Sequence, residues 1–272
     1  MTDTRGAARV AGSVVLVGAG PGDPELLTLR AVRALQSADV ILIDDLVSRE
    51  VLDFARREAK KMMVGKSGHG PACKQSEIND LMIKLAKSGK RVVRLKGGDP
   101  MIFGRAGEEI AACRAANIAV EVVPGISAAQ GAASRLLVSL THRAQARRVQ
   151  YVTGHDRDGK LPGDIDWRSL ADPAATTIVY MPKKTLRLLG ERAILHGLDP
   201  STPAVAIANA TRPDETIVAA TIATLADEIE ASELGGPVLV MIGRVLADVV
   251  SVRDSGDGAA TWHETSAFAS RI

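Results

Sequence analysis

Three features carry residue types that could do chemistry. The first is GAGPGDP, where Gly18, Gly20 and Gly22 follow the apolar run SVVLV. A dinucleotide fingerprint needs a third glycine where this chain has Asp23. Pro21 also removes an amide that an anion would use. By itself the loop reads as a tight strand-to-helix turn. The second feature is LKGGDPMIFGRAGEE, residues 95–109. Gly97 and Gly98 permit close backbone approach to a ligand, and Asp99 offers a carboxylate to a ribose or an amine. Phe103, Gly104 and Arg105 would line the same pocket. Asp99 and Pro100 read also as the cap of a helix. The third feature is a pair. Asp44 ends the strand-like DVILI, where burial would favour its protonated form, and Lys66 ends KMMVG. An acid and a base from adjacent strand ends suit proton transfer. Asp44 reads equally as a helix cap, and Lys66 as a solvated surface lysine.

A basic segment, THRAQARR, sets His142 beside Arg143, Arg147 and Arg148. It is either a solvated linker or a patch for carboxylates, which guanidinium groups bind bidentately. The five histidines, at 69, 142, 155, 196 and 263, show no HxxxH spacing and no pairing with Cys73 or Cys113. That pattern argues against a metal site.

These groups need elements to hold them. SVVLVG reads as a buried strand. Asp23, Pro24 and Glu25 then start a helix with its stripe at Leu26, Leu29, Val32, Ala34 and Leu35. Strands follow at 39–43, 61–65, 91–95 and 119–123, with helices over 48–58, 74–88, 105–116 and from 125 onward. This β–loop–α alternation predicts a mostly parallel sheet covered on both faces, with ligand groups at the carboxyl ends of the strands. After about residue 140 the texture changes. Strands are expected at VQYVT, TTIVYM, AVAIANAT, ETIVAATI and PVLVMIG, with helices near 183–196 and 221–232. ETIVAATI alternates and follows the turn TRPD, so it is expected to be antiparallel. The expected organisation is a flexible tail (1–11), an α/β domain (12–140), a second α/β domain with a mixed sheet (141–250) and a second flexible tail (251–272).

Composition narrows the function classes. The 272 residues carry a net charge of +2 with 24% charged residues, so no basic stripe for nucleic acid is expected. Aromatics at 3% leave little for base stacking. Two cysteines suit a reducing compartment, and no apolar run reaches transmembrane length. No membrane association is expected, and the cytoplasm is the simplest location.

Taken in order, VGAGPGDPELLTLRA, DDLVS, VGKSGHGPACKQSEIN, RVVRLKGGDPMIFGRAGEE, VVPGISAA, LTHR, VTGHD and IVYM form a series. The series resembles the uroporphyrinogen-III C-methyltransferases of the tetrapyrrole methylase superfamily over residues 12–250. The resemblance implies the two-domain α/β tetrapyrrole methylase fold, a homodimer and S-adenosyl-L-methionine held between domains, leaving as S-adenosyl-L-homocysteine. It implies transfer of two methyl groups to C2 and C7 of uroporphyrinogen III, giving precorrin-2 through precorrin-1 for cobalamin or sirohaem. On that resemblance Asp44 matches the proton acceptor and Lys66 the donor. Pro21, Gly97, Gly98, Asp99, Ile102, Ser127, Ala128, Met181, Ala210 and Val238 match contacts to the methyl donor. Four positions depart from the family pattern: Ile43 stands for a tyrosine, Ala106 for a glycine, Ser67 for an arginine and Ser139 for a proline.

The implied substrate carries eight carboxylates, so Arg105, His142 and Arg143 are the candidate substrate contacts, with Arg147, Arg148, Lys183 and Lys184 as further basic groups. Two rival expectations remain. One is another precorrin or superfamily methylase, whose donor loops would look alike. The other is a nicotinamide-dependent oxidoreductase, for which Asp44 or Asp45 stands at about the right spacing for a ribose clamp.

Overall fold

The computed structural model describes residues 12–65, 73–232 and 234–254. The chain divides into two compact units after Ala128. The expected division near 140 falls later because the helix that begins at Ala128 packs with the second unit. Its buried Ala129, Ala132 and Ala133, with Leu136 beyond its end, share a core with Ile178, Val205 and Met241.

In the first unit the elements run β1 (Ser13–Gly18), α1 (Leu29–Ser37), β2 (Val40–Ile43), β3 (Lys60–Met63), α2 (Gln75–Lys87), β4 (Arg91–Lys96), α3 (Ala106–Ala115) and β5 (Ala119–Val123). All five strands are parallel, in the order β3-β2-β4-β1-β5. Strand alternation splits the core. Val15, Val17, Ile41, Ile43, Val93 and Leu95 face α1, while Val14, Leu16, Leu42 and Val92 face α2 and α3. Leu35 and Leu42 are wholly buried, each worth about 2 kcal/mol in apolar transfer.

Two local expectations change. Asp23 caps a short 3-10 turn, Pro24–Leu26, accepting from the Glu25 amide at 2.8 Å. Thr28 then caps α1 through the Ala31 amide at 3.1 Å. The continuous helix from Asp23 is thus two elements, and Leu29, 77% exposed, lies off the buried stripe. The helix expected over 48–58 is a 3-10 segment, Arg49–Phe54.

The second unit adds α4 (Ala128–Arg135, whose first residue closes the first unit), β6 (Arg148–Thr153), α5 (Trp167–Leu170), β7 (Ala175–Tyr180), α6 (Leu186–Leu195), β8 (Pro203–Ala208), β9 (Thr216–Thr221), α7 (Leu225–Ser232), β10 (Val238–Ile242) and α8 (Ala247–Asp254). Its sheet is mixed, in the order β6-β7-β10-β8-β9. Strands β6 and β7 are parallel, and β9 is antiparallel to β8 as its alternation predicts. Helices cover both faces: α6 and α7 on one, α4 and α8 on the other. Residues 251–254, expected as loose tail, complete α8. The tails expected at 1–11 and beyond 254 lie outside the described residues. Among the described residues no helix is long and apolar enough to cross a membrane.

Candidate active site

The glycine loops of the first unit meet at the carboxyl ends of β1, β4 and β5. Gly20 and Gly98 form an isolated antiparallel bridge: the Gly98 amide donates to the Gly20 carbonyl at 2.7 Å and the Gly20 amide returns at 3.3 Å. Gly98 has φ +64° and Gly20 φ +75°, the left-handed region that glycine enters freely. Gly125 completes the junction. A Cβ on Gly125 would stand 2.3 Å from the Gly98 carbonyl oxygen, and one on Gly18 would stand 2.6 Å from Gly125 Cα. Three loops therefore touch backbone to backbone, with no room for side chains.

Asp99 locks this junction. Its Oδ1 accepts from the Met101 amide at 2.7 Å and its Oδ2 from the Gly125 amide at 3.0 Å. It does not cap a helix, since α3 begins seven residues later at Ala106. Ser127 is buried, and Ala128 approaches Gly98, its amide 3.7 Å from where a Gly98 Cβ would stand. Pro21 and Ile102 lie half-buried in the same loops. Within the first unit, then, every residue matched to the methyl donor gathers at one end of the sheet.

Asp44 follows β2 at that end. Its side chain keeps 31% exposure, and Arg94 Nη2 donates to Oδ1 at 3.2 Å. Asp44 is neither a helix cap nor deeply buried. Lys66 and His69 lie outside the described residues. Arg105 sits exposed at φ +57° before α3, and its guanidinium grips Glu108 through two bonds of 2.7 and 2.8 Å. That grip raises the Arg105 pKa and lowers that of Glu108.

In the second unit, Met181 leaves β7, Ala210 follows β8 and Val238 opens β10. Val238 pairs with Ala208 and Leu239 with Tyr180, so all three lie at one end of that sheet. Met181, Asn209 and Thr211 adopt positive φ of 57°, 51° and 67°. Phe103 and Arg105 do the same in the first unit, so five of the seven such non-glycine residues described fall in the candidate ligand loops. Strain of this kind concentrates where a fold is held for a ligand.

His142 and Arg143 are not brought to that end. Their turn is closed by paired bonds between His142 and Ala146, and Arg147 joins the Ala174 carbonyl before β7 starts. His142 Nδ1 accepts from the Ala144 and Gln145 amides, both at 3.2 Å, which places any ring proton on Nε2. The basic patch is smaller than its sequence, because Arg148 pairs with Asp172 at 2.6 Å and Lys183 donates to the Leu234 carbonyl.

Sequence reasoning missed a buried charge cluster. Arg94 and Lys96 on β4 and Glu109 on α3 are 2%, 3% and 0% exposed. Arg94 Nε lies 3.0 Å from Glu109 Oε1, and Lys96 Nζ lies 3.2 Å from Oε1 and 3.1 Å from Oε2. The Lys96–Oε2 approach is an ion-pair distance without hydrogen-bond geometry, so Oε2 has no formed hydrogen bond among the described residues. Burial, then the Arg94 charge, lowers the Lys96 pKa, while Glu109 opposes the fall. The available signal was RVVRLK, which sets charges inside a strand that must be buried on both faces. Of the departures from the family pattern, Ile43 and Ala106 fill core positions, and the Ser139 hydroxyl donates to the Thr141 carbonyl at 2.7 Å; Ser67 lies outside the described residues.

The arrangement defines a class: a two-unit α/β protein with glycine-lined loops at strand ends and without phosphate-type spacing. Residues 13–226 match the family described as Tetrapyrrole (Corrin/Porphyrin) Methylases, and the chain belongs to that family. It is 49% identical over 237 residues to a siroheme synthase of Nitrosospira multiformis, covering 87% of this chain and 50% of that protein. A siroheme synthase of Methylococcus capsulatus is 48% identical over 235 residues, 86% of this chain and 49% of the relative. The chain thus spans about half the length of these curated relatives. Among solved structures it resembles uroporphyrin-III C-methyl transferase from Thermus thermophilus complexed with S-adenyl homocysteine. That match has 39% identity and a TM-score of 0.74, covering 87% of this chain and 99% of that one. A cobalt precorrin-4 methyltransferase matches at 27% identity and TM-score 0.77, covering 86% and 95%.

Proposed function

We propose that this chain moves two methyl groups from S-adenosyl-L-methionine to C2 and C7 of uroporphyrinogen III, giving precorrin-2 by way of precorrin-1. The observation that carries the reading is the 39% identity spanning 99% of the Thermus thermophilus chain, whose structure is described as a complex with S-adenyl homocysteine. The residues present fit such a donor. The close approach at Gly18 and Gly125 gathers the loops that carry the matched residues at one end of the sheet, and the Asp99 carboxylate holds them there through the Met101 and Gly125 amides.

Gly97, Gly98, Asp99, Ile102, Ser127, Ala128 and Pro21 would hold the donor in the first unit, and the second unit offers Met181, Ala210 and Val238. When bound, the donor supplies an electrophilic methyl group. The protein's own part is positioning and proton handling. The Asp99 clamp fixes the glycine junction. Asp44, part-exposed and held by Arg94, accepts the proton that the macrocycle loses elsewhere, since the methylated pyrrole carbon already carries a side chain and has no hydrogen of its own to give up. Lys66 is the proposed donor in the accompanying tautomer shift. Arg105 is the proposed contact to a substrate carboxylate, which competes there with Glu108; His142 and Arg143, beside the start of β7, are not proposed as contacts. A homodimer, a cytoplasmic setting and use of the product for sirohaem or cobalamin belong to the same proposal.

The test is uroporphyrinogen III with methyl-labelled donor. Two labels per tetrapyrrole are expected, and the Asp44→Asn variant should lose turnover while still binding S-adenosylhomocysteine. Arg105→Glu should raise the KM for uroporphyrinogen more than that for the donor. An unlabelled tetrapyrrole defeats the reading. Label passing only to a later precorrin favours the second reading, supported by the likeness to the cobalt precorrin-4 enzyme.

A further inference from the structure

Of the buried cluster of Arg94, Lys96 and Glu109, only Arg94 has a part in the reaction as described above, where it holds Asp44. Burying ionic groups carries a desolvation cost that their attraction seldom repays, so stability alone does not explain it. Its layout points elsewhere. Glu109, in the first turn of α3, receives Arg94 Nε at 3.0 Å, Gln75 Nε2 at 3.2 Å and Lys96 Nζ at 3.2 Å, all on Oε1. Arg94 spans the gap between this carboxylate and Asp44, with Nη2 at 3.2 Å from Oδ1. Its Nη1 is held by the Leu42 and Leu95 carbonyls, both at 3.4 Å. The guanidinium is fixed at every nitrogen and cannot swing away.

Two cations share one buried anion, which leaves a net charge of +1 behind Asp44. We propose that Lys96 and Glu109 are positioning residues that act through Arg94 to set the charge of Asp44. Lys96 adds the surplus cation and Glu109 limits it. The proposal rests on the reading of Asp44 as proton acceptor. In this arrangement a resting Asp44 carboxylate balances the cluster. A proton taken from the substrate leaves the +1 charge uncompensated, which favours its release before the second methylation.

The charged groups around Asp44 can be named element by element. Strand β4 supplies Arg94 and Lys96, and α3 supplies Glu109, while the Lys96 charge also helps lower the Glu108 pKa. Asp45 adjoins it in the same loop, beside Gly65. Helix α2 supplies the neutral Gln75, which donates to Glu109 at 3.2 Å and to Asn79 at 3.0 Å. Asp44 and Lys96 are electrostatically coupled, as the fall in the Lys96 pKa is partly opposed by Asp44.

Two substitutions of opposite charge test the idea. Lys96→Met removes a cation, so the acid limb of the kcat/KM profile for uroporphyrinogen should move to higher pH by about half a unit to one unit. Glu109→Gln removes an anion, so the limb should move to lower pH by a similar amount. The double variant should return close to wild type. A purely structural role would not produce shifts of opposite sign. Carbon-13 NMR titration of the Asp44 carboxyl should follow the same directions without turnover. If Asp44→Asn retains turnover, the proton-acceptor reading fails, and the carboxyl titration still decides the coupling. If Lys96→Met does not unfold cooperatively, Lys96→Gln replaces it, keeping a donor to Glu109. Shifts of the same sign, or a carboxyl titration unmoved in both variants, overturn the proposal.

Discussion

Adding one methyl group at Gly125 should both destabilise the first unit and weaken donor binding. The new Cβ would lie 2.3 Å from the Gly98 carbonyl oxygen and 2.9 Å from Gly18 Cα. An ordinary carbon–oxygen approach is about 3.3–3.6 Å, so the Gly98 carbonyl must retreat by about 1 Å. Every neighbour is backbone, so no side chain can rotate aside. The retreat breaks the two Gly20–Gly98 hydrogen bonds, of 2.7 and 3.3 Å, each worth about 1 kcal/mol. Overpacking adds about 1–3 kcal/mol. A total near 3–5 kcal/mol corresponds to a fall in Tm of roughly 10–20 °C for a unit of this size. A shift of about 1 Å in a ligand loop should also weaken S-adenosylhomocysteine binding by at least about tenfold. Thermal unfolding and isothermal titration measure the two effects. Gly107→Ala is the control: it lies in α3 with nothing within 4 Å of its Cβ position. There alanine should add about 0.5–1 kcal/mol through helix propensity and leave binding unchanged. Gly125→Ala with wild-type Tm and wild-type affinity would refute the reasoning.

Three further outcomes are expected. Asp99→Asn puts an NH2 group against either the Met101 or the Gly125 amide, so calorimetry should show weaker S-adenosylhomocysteine binding and a loss of about 1–3 kcal/mol in unfolding free energy. Asp39 accepts from the Arg91 amide at 2.8 Å and pairs with Arg56, which hold its pKa below 3.8. Its contribution is therefore present above that pH and lost as pH falls through the lowered value, so the Tm deficit of Asp39→Asn at pH 7 should shrink as the medium is acidified through that value. Leu137 follows α4 at φ +54° and is 85% exposed, a position that asparagine tolerates better, so Leu137→Asn should gain about 0.5–1 kcal/mol in denaturant unfolding.

The placement of the glycine loops was legible because strand ends announce themselves locally. An apolar run that stops at Gly18, Lys96 or Val123 marks the carboxyl end of a parallel strand, and the residues beyond it must lie at one edge. What these residues do there was less legible. Asp99 read as a ligand or a cap, yet it clamps Gly125, 26 positions away. The charge cluster joins positions 44, 94, 96 and 109, separations that no periodicity reports. Met181, Asn209 and Thr211 show nothing in sequence of their positive φ, because the strain is imposed by the surrounding fold. The boundary after Ala128 was missed for a similar reason. An alanine-rich helix carries no sign of which sheet it will cover.

The strand order has a bearing on how the chain is made. β1 has β4 and β5 as its only sheet neighbours, and Ser13 pairs with Arg91, 78 residues further on. At typical synthesis rates that is roughly 4–15 s during which β1 exists without a partner. β2 must likewise wait for β3 or β4. The GAGPGDP loop therefore cannot take its final form until the KGGDP loop has been translated, since Gly20 is held by Gly98. A nascent chain stalled before residue 91 should display an apolar SVVLV segment open to chaperones, and the emergence of β4 is the event that withdraws it.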